Sequence, residues 1–333
     1  MPQDKKKEIE KAPNGKQRRR TAFTIGAVVI VIILVLLGGG YYQNYVAPFQ
    51  RTIITVDDTA IRMDYFLKRA RFVGADPMTM LQRLTDEQLI KLGASRYGIT
   101  VSSENITNEL MRIAMGSSAG ISESEFQAWY RQMLNDSGLS DAEFKDTTAT
   151  MIMAAQLQGY LAERMPTTAE QVHLSAILMG TYEEAQQIKA RIEKGEAFAD
   201  VAREVSLDET SKADGGDLGW LPRGVLDPRF EDVAFRLIPG EVSIPIPQVL
   251  PSPADQGTED TGGYFLFMVS EKAAAREIAA EFLPDVKSQA LDKWLVTESS
   301  QHTIKYNFNS EINAWIQYQL AKGKPSTSQP TTP

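Results

Sequence analysis

The chain has 333 residues, of which 43% are hydrophobic, an ordinary content for a globular protein of one to three domains. Its net charge of −8 offers no basic surface to a nucleic-acid partner, and the absence of cysteine excludes disulfides, a thiol nucleophile, thiolate metal ligands and a lipid-modified cysteine. The two histidines, His173 and His302, argue against a histidine-based metal centre or catalytic triad, so we expect neither a metal nor another cofactor.

The first fifty residues combine a basic tail with an uncharged apolar segment. Lysine and arginine outnumber acidic residues in residues 1–20, and the segment 21–50 contains no charged residue at all. Its core, residues 22–40, has about the length that a bilayer requires, and the tyrosines after it are typical of a membrane interface. Because basic residues flank the cytoplasmic end of a span, we predict a cytoplasmic tail, a transmembrane anchor over 21–44, and an extracytoplasmic remainder.

A cleaved secretory signal peptide is the alternative interpretation of this N-terminal region. A signal peptide has the same order of a basic stretch followed by an apolar stretch. The apolar run is long for a signal peptide, however, and no small-residue cleavage site is evident after Leu37. These two features favour an anchor that stays in the mature protein.

Residues 49–166 begin with a strand pattern and continue as helix patterns. The segment from Thr52 to Val56 predicts a strand, and Asp57-Asp58 predicts the turn after it. Leucine and methionine then recur at helical spacing from Met80 to Leu92, and Gly98 marks a helix C-terminus. Two capping boxes predict further helix starts, at Ser122 with Glu125 and at Ser140 with Glu143.

Residues 167–272 alternate between strand and helix patterns. The segment from Val172 to Met179 predicts a strand, and Thr181 with Glu184 predicts the start of a helix. A second helix is expected from Phe198 to Val205, whose apolar residues share one face. A closing strand is expected from Tyr264 to Val269. This order predicts a compact α+β domain with a small antiparallel sheet.

A stretch rich in proline, glycine and acidic residues, 247–261, precedes the predicted closing strand. Glycine and proline punctuate regular structure, so this composition predicts a flexible loop inserted into the domain.

Six sequence motifs follow one another in this domain. They are FADVA, Ser206 with Asp208, GGDLGW, RGVLDPRF, AFRLIPGEVS and GGYFLF, beginning at residues 198, 206, 215, 223, 234 and 262. Together they resemble the parvulin (PpiC-type) family of peptidyl-prolyl cis-trans isomerases, in the form found in membrane-anchored or secreted bacterial folding factors. The resemblance implies an isomerase that acts on X-Pro bonds of unfolded or newly exported polypeptides.

The resemblance also assigns roles to particular residues. Leu218, Leu226 and Phe230 match the family positions that contact the proline ring, and Asp208 matches the position near the isomerising carbonyl. Rotation about a peptide bond faces a barrier of about 18–20 kcal/mol. A catalyst therefore needs a dry pocket that favours the twisted amide over the planar one. From the residues alone, the apolar side chains also fit a domain core, and Asp208 also fits a turn.

Two histidines that hydrogen-bond each other beneath the family's pocket have no counterpart here. Ala176 and Phe265 stand at their positions, and His173 is no substitute because side chains alternate along a strand and it lies on the opposite face from Ala176. Replacing both partners of a buried hydrogen bond by apolar groups is close to neutral for stability. We therefore expect an intact pocket whose substrate-facing floor is apolar, serving either weak isomerase catalysis or chain binding alone.

The flanking segments complete the resemblance. Residues 49–166 resemble the helical chaperone segment of SurA-like and PrsA-like folding factors, which implies that the C-terminal helices over 273–320 pack back onto it. Pro284 is expected to break or kink these helices. Residues 321–333, rich in serine, threonine and proline, predict a disordered tail. The predicted fold class is thus α+β: a transmembrane helix, a mainly helical chaperone segment, a parvulin-like domain with an antiparallel sheet, and C-terminal helices.

Overall fold

The computed structural model describes residues 35–116, 120–249 and 262–322. The predicted cytoplasmic tail and most of the predicted anchor lie outside these residues, as do nearly all of the predicted inserted loop and of the C-terminal tail. None of the helices in the described ranges is both long and apolar enough to span a bilayer. The last ten residues of the predicted anchor, 35–44, are helical.

The described residues contain the following elements in chain order. Two short helical turns, Tyr42–Val46 and Ala47–Gln50, come first. The strands are β1 (Thr52–Val56), β2 (Thr59–Arg62), β3 (Thr168–Met179), β4 (Asp217–Pro222), β5 (Ile246–Pro247), β6 (Tyr264–Glu277) and β7 (Ile304–Tyr306). The longer helices are α1 (Met63–Val73), α2 (Pro77–Arg96), α3 (Ser103–Met115), α4 (Glu123–Ser137), α5 (Asp141–Glu163), α6 (Tyr182–Glu193), α7 (Phe198–Val205), α8 (Pro228–Arg236), α9 (Leu283–Ser288), α10 (Ala290–Ser299) and α11 (Ser310–Lys322).

The chain divides into two compact units. The first comprises the described residues up to Leu89 together with 102–149 and those from Ser299 onward. The second comprises 90–101 and 150–298, and it contains the whole region that resembles a parvulin.

The first unit is built around a three-stranded antiparallel sheet with β1 in the centre. The predicted strand β1 is confirmed, and the predicted turn leads into β2, with Asp57 at a φ of +50°. On the other edge of β1, Ile54 pairs with Tyr306 of β7. The expectation of helix throughout 273–320 is therefore wrong at β7, because three residues are too few to carry a periodic pattern.

Helix starts in the first unit follow the predicted capping signals. The hydroxyl groups of Ser122 and Ser140 accept hydrogen bonds from backbone N–H groups three residues on, and the glutamates there accept from the serine N–H groups in return. A further capping box joins Ser102 to Asn105 at the start of α3. The sequence pattern did not predict it, because asparagine replaces the usual Glu or Gln.

We expect the substitution Ser102→Ala to destabilise α3 by about 1 kcal/mol, the usual cost of losing an N-cap. Ser103 provides the matched control, since it is the neighbouring exposed serine and lies at the first position inside the helix. Ser103→Ala is expected to change stability by less than about 0.5 kcal/mol. Amide hydrogen exchange of α3 measures both effects, and equal protection in the two variants would contradict the assigned cap.

The second unit contains a four-stranded antiparallel sheet of order β4-β3-β6-β5. On one face, Leu174 of β3 packs with Phe235 of α8. On the other face, Ile177 packs with Ala185 of α6 and Val201 of α7. The predicted α+β domain is confirmed in this arrangement, and its sheet separates two apolar layers.

Two predictions about the region after the closing strand need correction. Strand β6 continues to Glu277, eight residues beyond the predicted end at Val269, so residues 273–277 are not helical. This extension is polar and mostly exposed, so it lacks the apolar alternation by which a strand is recognised. Pro284 lies in the first turn of α9 instead of interrupting a helix, a position where its missing N–H costs nothing.

The C-terminal segment belongs partly to each unit. Helices α9 and α10 lie in the second unit up to Glu298, whereas β7 and α11 lie in the first, where α11 packs on α1. The last helix extends to Lys322, two residues into the segment that we expected to be disordered.

Candidate active site

One hydrophobic cluster on a face of the second unit's sheet contains five of the side chains identified from sequence. Ala176 comes from β3, Phe265 from β6 and Leu218 from β4, while Leu226 and Phe230 come from the loop and helix that follow β4. Ala176 is buried, and the other four are only partly covered. The structure thus brings together, at one surface, residues that are up to 89 positions apart in the chain.

Phe230 is positioned by the start of α8. Asp227 is the N-cap residue, its carboxylate accepting a hydrogen bond from the N–H of Arg229 at 3.0 Å, and a proline follows within the first turn. Both features favour helix initiation at this point. Phe230 therefore lies in the first turn of α8, and the N-cap at Asp227 fixes where this helix begins.

Three phenylalanine rings form the centre of the cluster. Phe230 meets Phe265 and Phe267 edge to face, with both ring centroids 5.5 Å away. Phe265 and Phe267 stack on each other at 5.7 Å. The resemblance to the parvulin family did not single out Phe267, although side chains alternate along β6 and this places Phe267 on the same face as Phe265. Edge-to-face aromatic pairs add about 0.5–1.5 kcal/mol beyond the area they bury.

Ala176 and Phe265, which stand where the parvulin family has its two histidines, lie diagonally across the sheet from each other. Ala176 pairs with Phe267 in the strand register, and Phe265 pairs with Leu178. The N–H of Ala176 donates to the carbonyl oxygen of Gly216 at 2.8 Å, so the GGDLGW turn lies directly against β3. The floor beneath the cluster is thus apolar and tightly closed.

Only glycine fits at position 216, where the GGDLGW turn approaches the backbone of Ala176. Its φ is +80°, and a Cβ atom built on it would lie 2.3 Å from the carbonyl oxygen of Ala176. A side chain at this position would require the turn and the strand to separate.

Asp208 lies in a turn after α7. Its carboxylate accepts hydrogen bonds from the hydroxyl groups of Thr210 and Ser211, each at 2.6 Å, and from the N–H of Thr210 at 3.2 Å. Partial burial acts to raise the pKa of Asp208, but the bonds from Ser211 and Thr210 outweigh it and hold the pKa below its usual value. An ionised carboxylate that closes a turn matches the structural alternative considered for this residue.

The acid dependence of stability tests the role of Asp208 in the turn. Because its folded pKa lies below the usual value of about 3.9, its contribution is present above that value and is lost as the pH falls through the folded pKa. We expect Asp208→Asn to lower the urea midpoint of the second unit at pH 6, and the difference from the parent to shrink as the pH falls below about 3.9. A variant with the parent's midpoint at pH 6 would remove Asp208 from the turn's stabilising groups.

His173 lies away from the cluster, as the alternation of β3 predicts. Its Nδ1 hydrogen-bonds the hydroxyl group of Ser270 at 3.0 Å, and its ring meets Trp220 edge to face at 5.4 Å. Across the three described ranges, no group of three or more potential ligands is placed to hold a metal ion. What the cluster offers chemically is an apolar, aromatic surface with little competing polarity.

Part of the chain matches a known enzyme family. Residues 176–259 match the family described as Rotamase, PPIC-type PPIASE domain. This range contains all the site residues identified from sequence except Phe265. The chain therefore contains a PPIC-type parvulin domain.

Related proteins carry a consistent description. The chain is 28% identical over 221 residues to the foldase protein PrsA of Geobacillus kaustophilus, covering 64% of this chain and 70% of that protein. It is 32% identical over 176 residues to the foldase protein PrsA of Caldanaerobacter subterraneus subsp. tengcongensis, covering 53% of this chain and 55% of that protein. The family match and these relatives support peptidyl-prolyl cis-trans isomerase activity in this chain.

Solved structures give a weaker comparison. A crystal structure of the peptidylprolyl isomerase PrsA from Bacillus anthracis is 20% identical, covers 73% of this chain and 96% of its own, and has a TM-score of 0.33. The solution structure of NmPin, a parvulin of Nitrosopumilus maritimus, is 32% identical, covers 31% of this chain and 98% of its own, and has a TM-score of 0.26.

Proposed function

We propose that this chain is a membrane-anchored, extracytoplasmic folding factor whose PPIC-type domain isomerises X-Pro bonds in unfolded or newly exported polypeptides. The observation that carries the proposal is the partly covered cluster of Leu218, Leu226 and Phe230 within the matched region. The foldase relatives support polypeptides as the substrate class.

The mechanism follows from what an apolar site does to an amide. In water, uncatalysed X-Pro isomerisation takes tens to hundreds of seconds. A proline ring held against Phe230 removes the X-Pro amide from water, and the twisted amide, which has lost its double-bond character, depends less on water than the planar amide does. Rotation is then favoured without any covalent step, nucleophile or metal.

The apolar floor sets the expected rate. Ala176 and Phe265 carry no hydrogen-bonding group, so nothing at these positions stabilises a particular charge distribution in the twisted amide. We therefore propose weak catalysis, in which Asp208 has the role that the family resemblance implies, an ionised carboxylate near the isomerising carbonyl. The second candidate function is a holdase that binds unfolded chains without catalysis, and the two missing histidines favour it.

A proline-peptide isomerisation assay on the full chain in detergent micelles separates the two functions. Exchange spectroscopy by NMR on a peptide with one X-Pro bond measures the cis–trans rate directly and needs no coupling protease. Acceleration that saturates with peptide concentration supports the isomerase. Peptide binding with an unchanged exchange rate supports the holdase instead.

We expect the N-terminal anchor to remain in the mature protein, because the apolar run is long and no cleavage site is evident. The intact mass of protein extracted from membranes checks this expectation and should include residues 1–40. A mature chain that begins between residues 41 and 48 would show that the segment is a signal peptide.

A further inference from the structure

The first unit contains a cavity of about 510 Å³ that has no part in the isomerase site. It lies between the short helical turns at the end of the predicted anchor, over 42–50, and the last helix, α11. Its volume falls in the range of small-molecule sites, about 300–1,000 Å³. The lining residues used below are Gln43, Asn44, Arg51, Met63, Glu311 and Trp315.

Two opposite charges line this cavity. Arg51 and Glu311 are both exposed, and neither side chain forms an ion pair or a hydrogen bond within the described part of the chain. Arg62 in the same unit is different, because its guanidinium pairs with Asp64 at 2.8 Å. A cavity with one available cation and one available anion suits a ligand that carries both charges.

The cavity also has an apolar and aromatic side. Met63, which is almost fully buried, lines the cavity, and Trp315, another lining residue, meets Phe49 edge to face at 5.2 Å. Trp315 itself is only partly covered. An indole ring attracts a ligand ammonium group to its face. Tryptophan is also enriched at interfaces, where one side of its ring contacts apolar groups and the other contacts water.

With the anchor of the proposed function in a bilayer, the position along the chain places the cavity beside the membrane surface. Gln43 and Asn44 are the last residues of the predicted anchor, and Arg51 is the first charged residue after it. Tyrosines 41, 42 and 45 are 63%, 48% and 66% exposed, a pattern typical of an aromatic belt at the interface. The cavity therefore opens at the depth of lipid headgroups.

We propose that this cavity binds the zwitterionic headgroup of a phospholipid, phosphoethanolamine. Arg51 binds the phosphate, since a guanidinium matches phosphate oxygens in a bidentate manner. Glu311 and the face of Trp315 bind the ammonium group. The proposal rests on the membrane anchor of the proposed function and is independent of the isomerase cluster.

Glu311 makes the site selective. An anionic headgroup without an ammonium group would satisfy Arg51 but would leave the Glu311 carboxylate without a cationic partner. The structure therefore predicts preference for phosphatidylethanolamine over phosphatidylglycerol, opposite to a simple basic patch, which attracts anionic lipid.

Binding is tested with the full chain in non-ionic detergent micelles by native mass spectrometry. The probes are dihexanoyl phosphatidylethanolamine, dihexanoyl phosphatidylglycerol, dihexanoylglycerol, which lacks a phosphate, and soluble glycerophosphoethanolamine. We expect the first to bind at least tenfold more tightly than each of the others. Equal binding of dihexanoylglycerol would show that only acyl chains are recognised, and equal binding of glycerophosphoethanolamine would assign the site to a soluble phosphodiester; either result overturns the proposal.

Three variants sharpen the test. Arg51→Gln is expected to weaken phosphatidylethanolamine binding at least tenfold, and Glu311→Gln to abolish the preference over phosphatidylglycerol. Arg62→Gln is the matched control, an exposed arginine of the same unit outside the cavity lining, and should bind as the parent does. Circular dichroism confirms folding of each variant, and parent-like binding by folded Arg51→Gln overturns the proposal.

The isomerase and the anchor are measured on the same samples. Arg51→Gln should keep the parent's rate in the proline-peptide assay, because Arg51 lies in the other unit. Release of the parent from membranes by carbonate would show that the anchor is absent, whereas the micelle titration reports on the cavity in either case. Failure of the proposed function and failure of the lipid site are therefore separate results.

Discussion

Replacing Phe230 by alanine is expected to lower X-Pro isomerisation, or peptide binding if the domain only binds, at least about tenfold, which corresponds to about 1.4 kcal/mol. Phe230 contacts both Phe265 and Phe267 edge to face and is itself only partly covered. In the proposed site it is therefore the aromatic wall for the proline ring, held in place by Phe265 and Phe267. A fully buried phenylalanine costs about 3–5 kcal/mol when truncated, so this partly exposed one should cost less.

Two further variants separate function from stability. Phe230→Leu keeps an apolar side chain but removes the aromatic edge, and should give an intermediate rate. Phe198→Leu is the matched control, because Phe198 is buried in the apolar layer on the opposite face of the sheet and should lower stability without changing the peptide KM. A folded Phe230→Ala protein with the parent's rate and affinity would show that the cluster is not the substrate site.

The substitution Gly216→Ala should destabilise the second unit by more than about 3 kcal/mol, enough to abolish both activity and peptide binding. One part of this cost is backbone strain of about 1–3 kcal/mol, because an alanine must adopt φ +80°. The larger part is steric, since the added Cβ would lie 2.3 Å from the Ala176 carbonyl oxygen and 3.3 Å from the Cβ of Ala202. Neither neighbour can rotate away, because one is a backbone carbonyl oxygen and the other is the Cβ of an alanine.

Gly219 allows the two parts of that cost to be measured separately. Its φ is +72°, close to that of Gly216, but no atom lies within 4 Å of an added Cβ. Gly219→Ala should therefore show the strain alone, about 1–2 kcal/mol. Urea unfolding, monitored by hydrogen exchange of the β3 amides, measures the loss of stability in Gly216→Ala and in Gly219→Ala. Equal losses in the two variants would mean that the turn can move away from the strand.

Most elements of the fold could be predicted because they leave short-range signals. The helix that begins at Tyr182 has Thr181 as its N-cap and Glu184 in its first turn, and each side chain accepts a hydrogen bond from the other residue's N–H group. The helix ends near Gly195, whose φ is +106°. β7 left no such signal, because its three residues become a strand only through pairing with β1. The polar extension of β6 likewise depends on its partner strand and not on its own composition.

The site could be predicted only in part, for a similar reason. The residues on strands and helices, such as Leu218 and Phe230, lie together because the motifs also specify the elements that carry them. Phe267 needed the strand alternation to be followed through the whole GGYFLF motif. The partners of Asp208 could not be anticipated, because Thr210 and Ser211 bond the two different oxygens of its carboxylate through a loop conformation that residue spacing does not encode.

The pairing of β7 with β1 has a consequence for the order in which the chain folds. Ile54 and Tyr306 are 252 residues apart, so one edge of β1 stays open until almost the whole chain has been synthesised. The second unit, apart from 90–101, is continuous from 150 to 298 and is complete earlier. During synthesis the second unit can therefore be completed before the first, and a nascent chain interrupted before residue 304 leaves one edge of β1 unpaired, which favours aggregation.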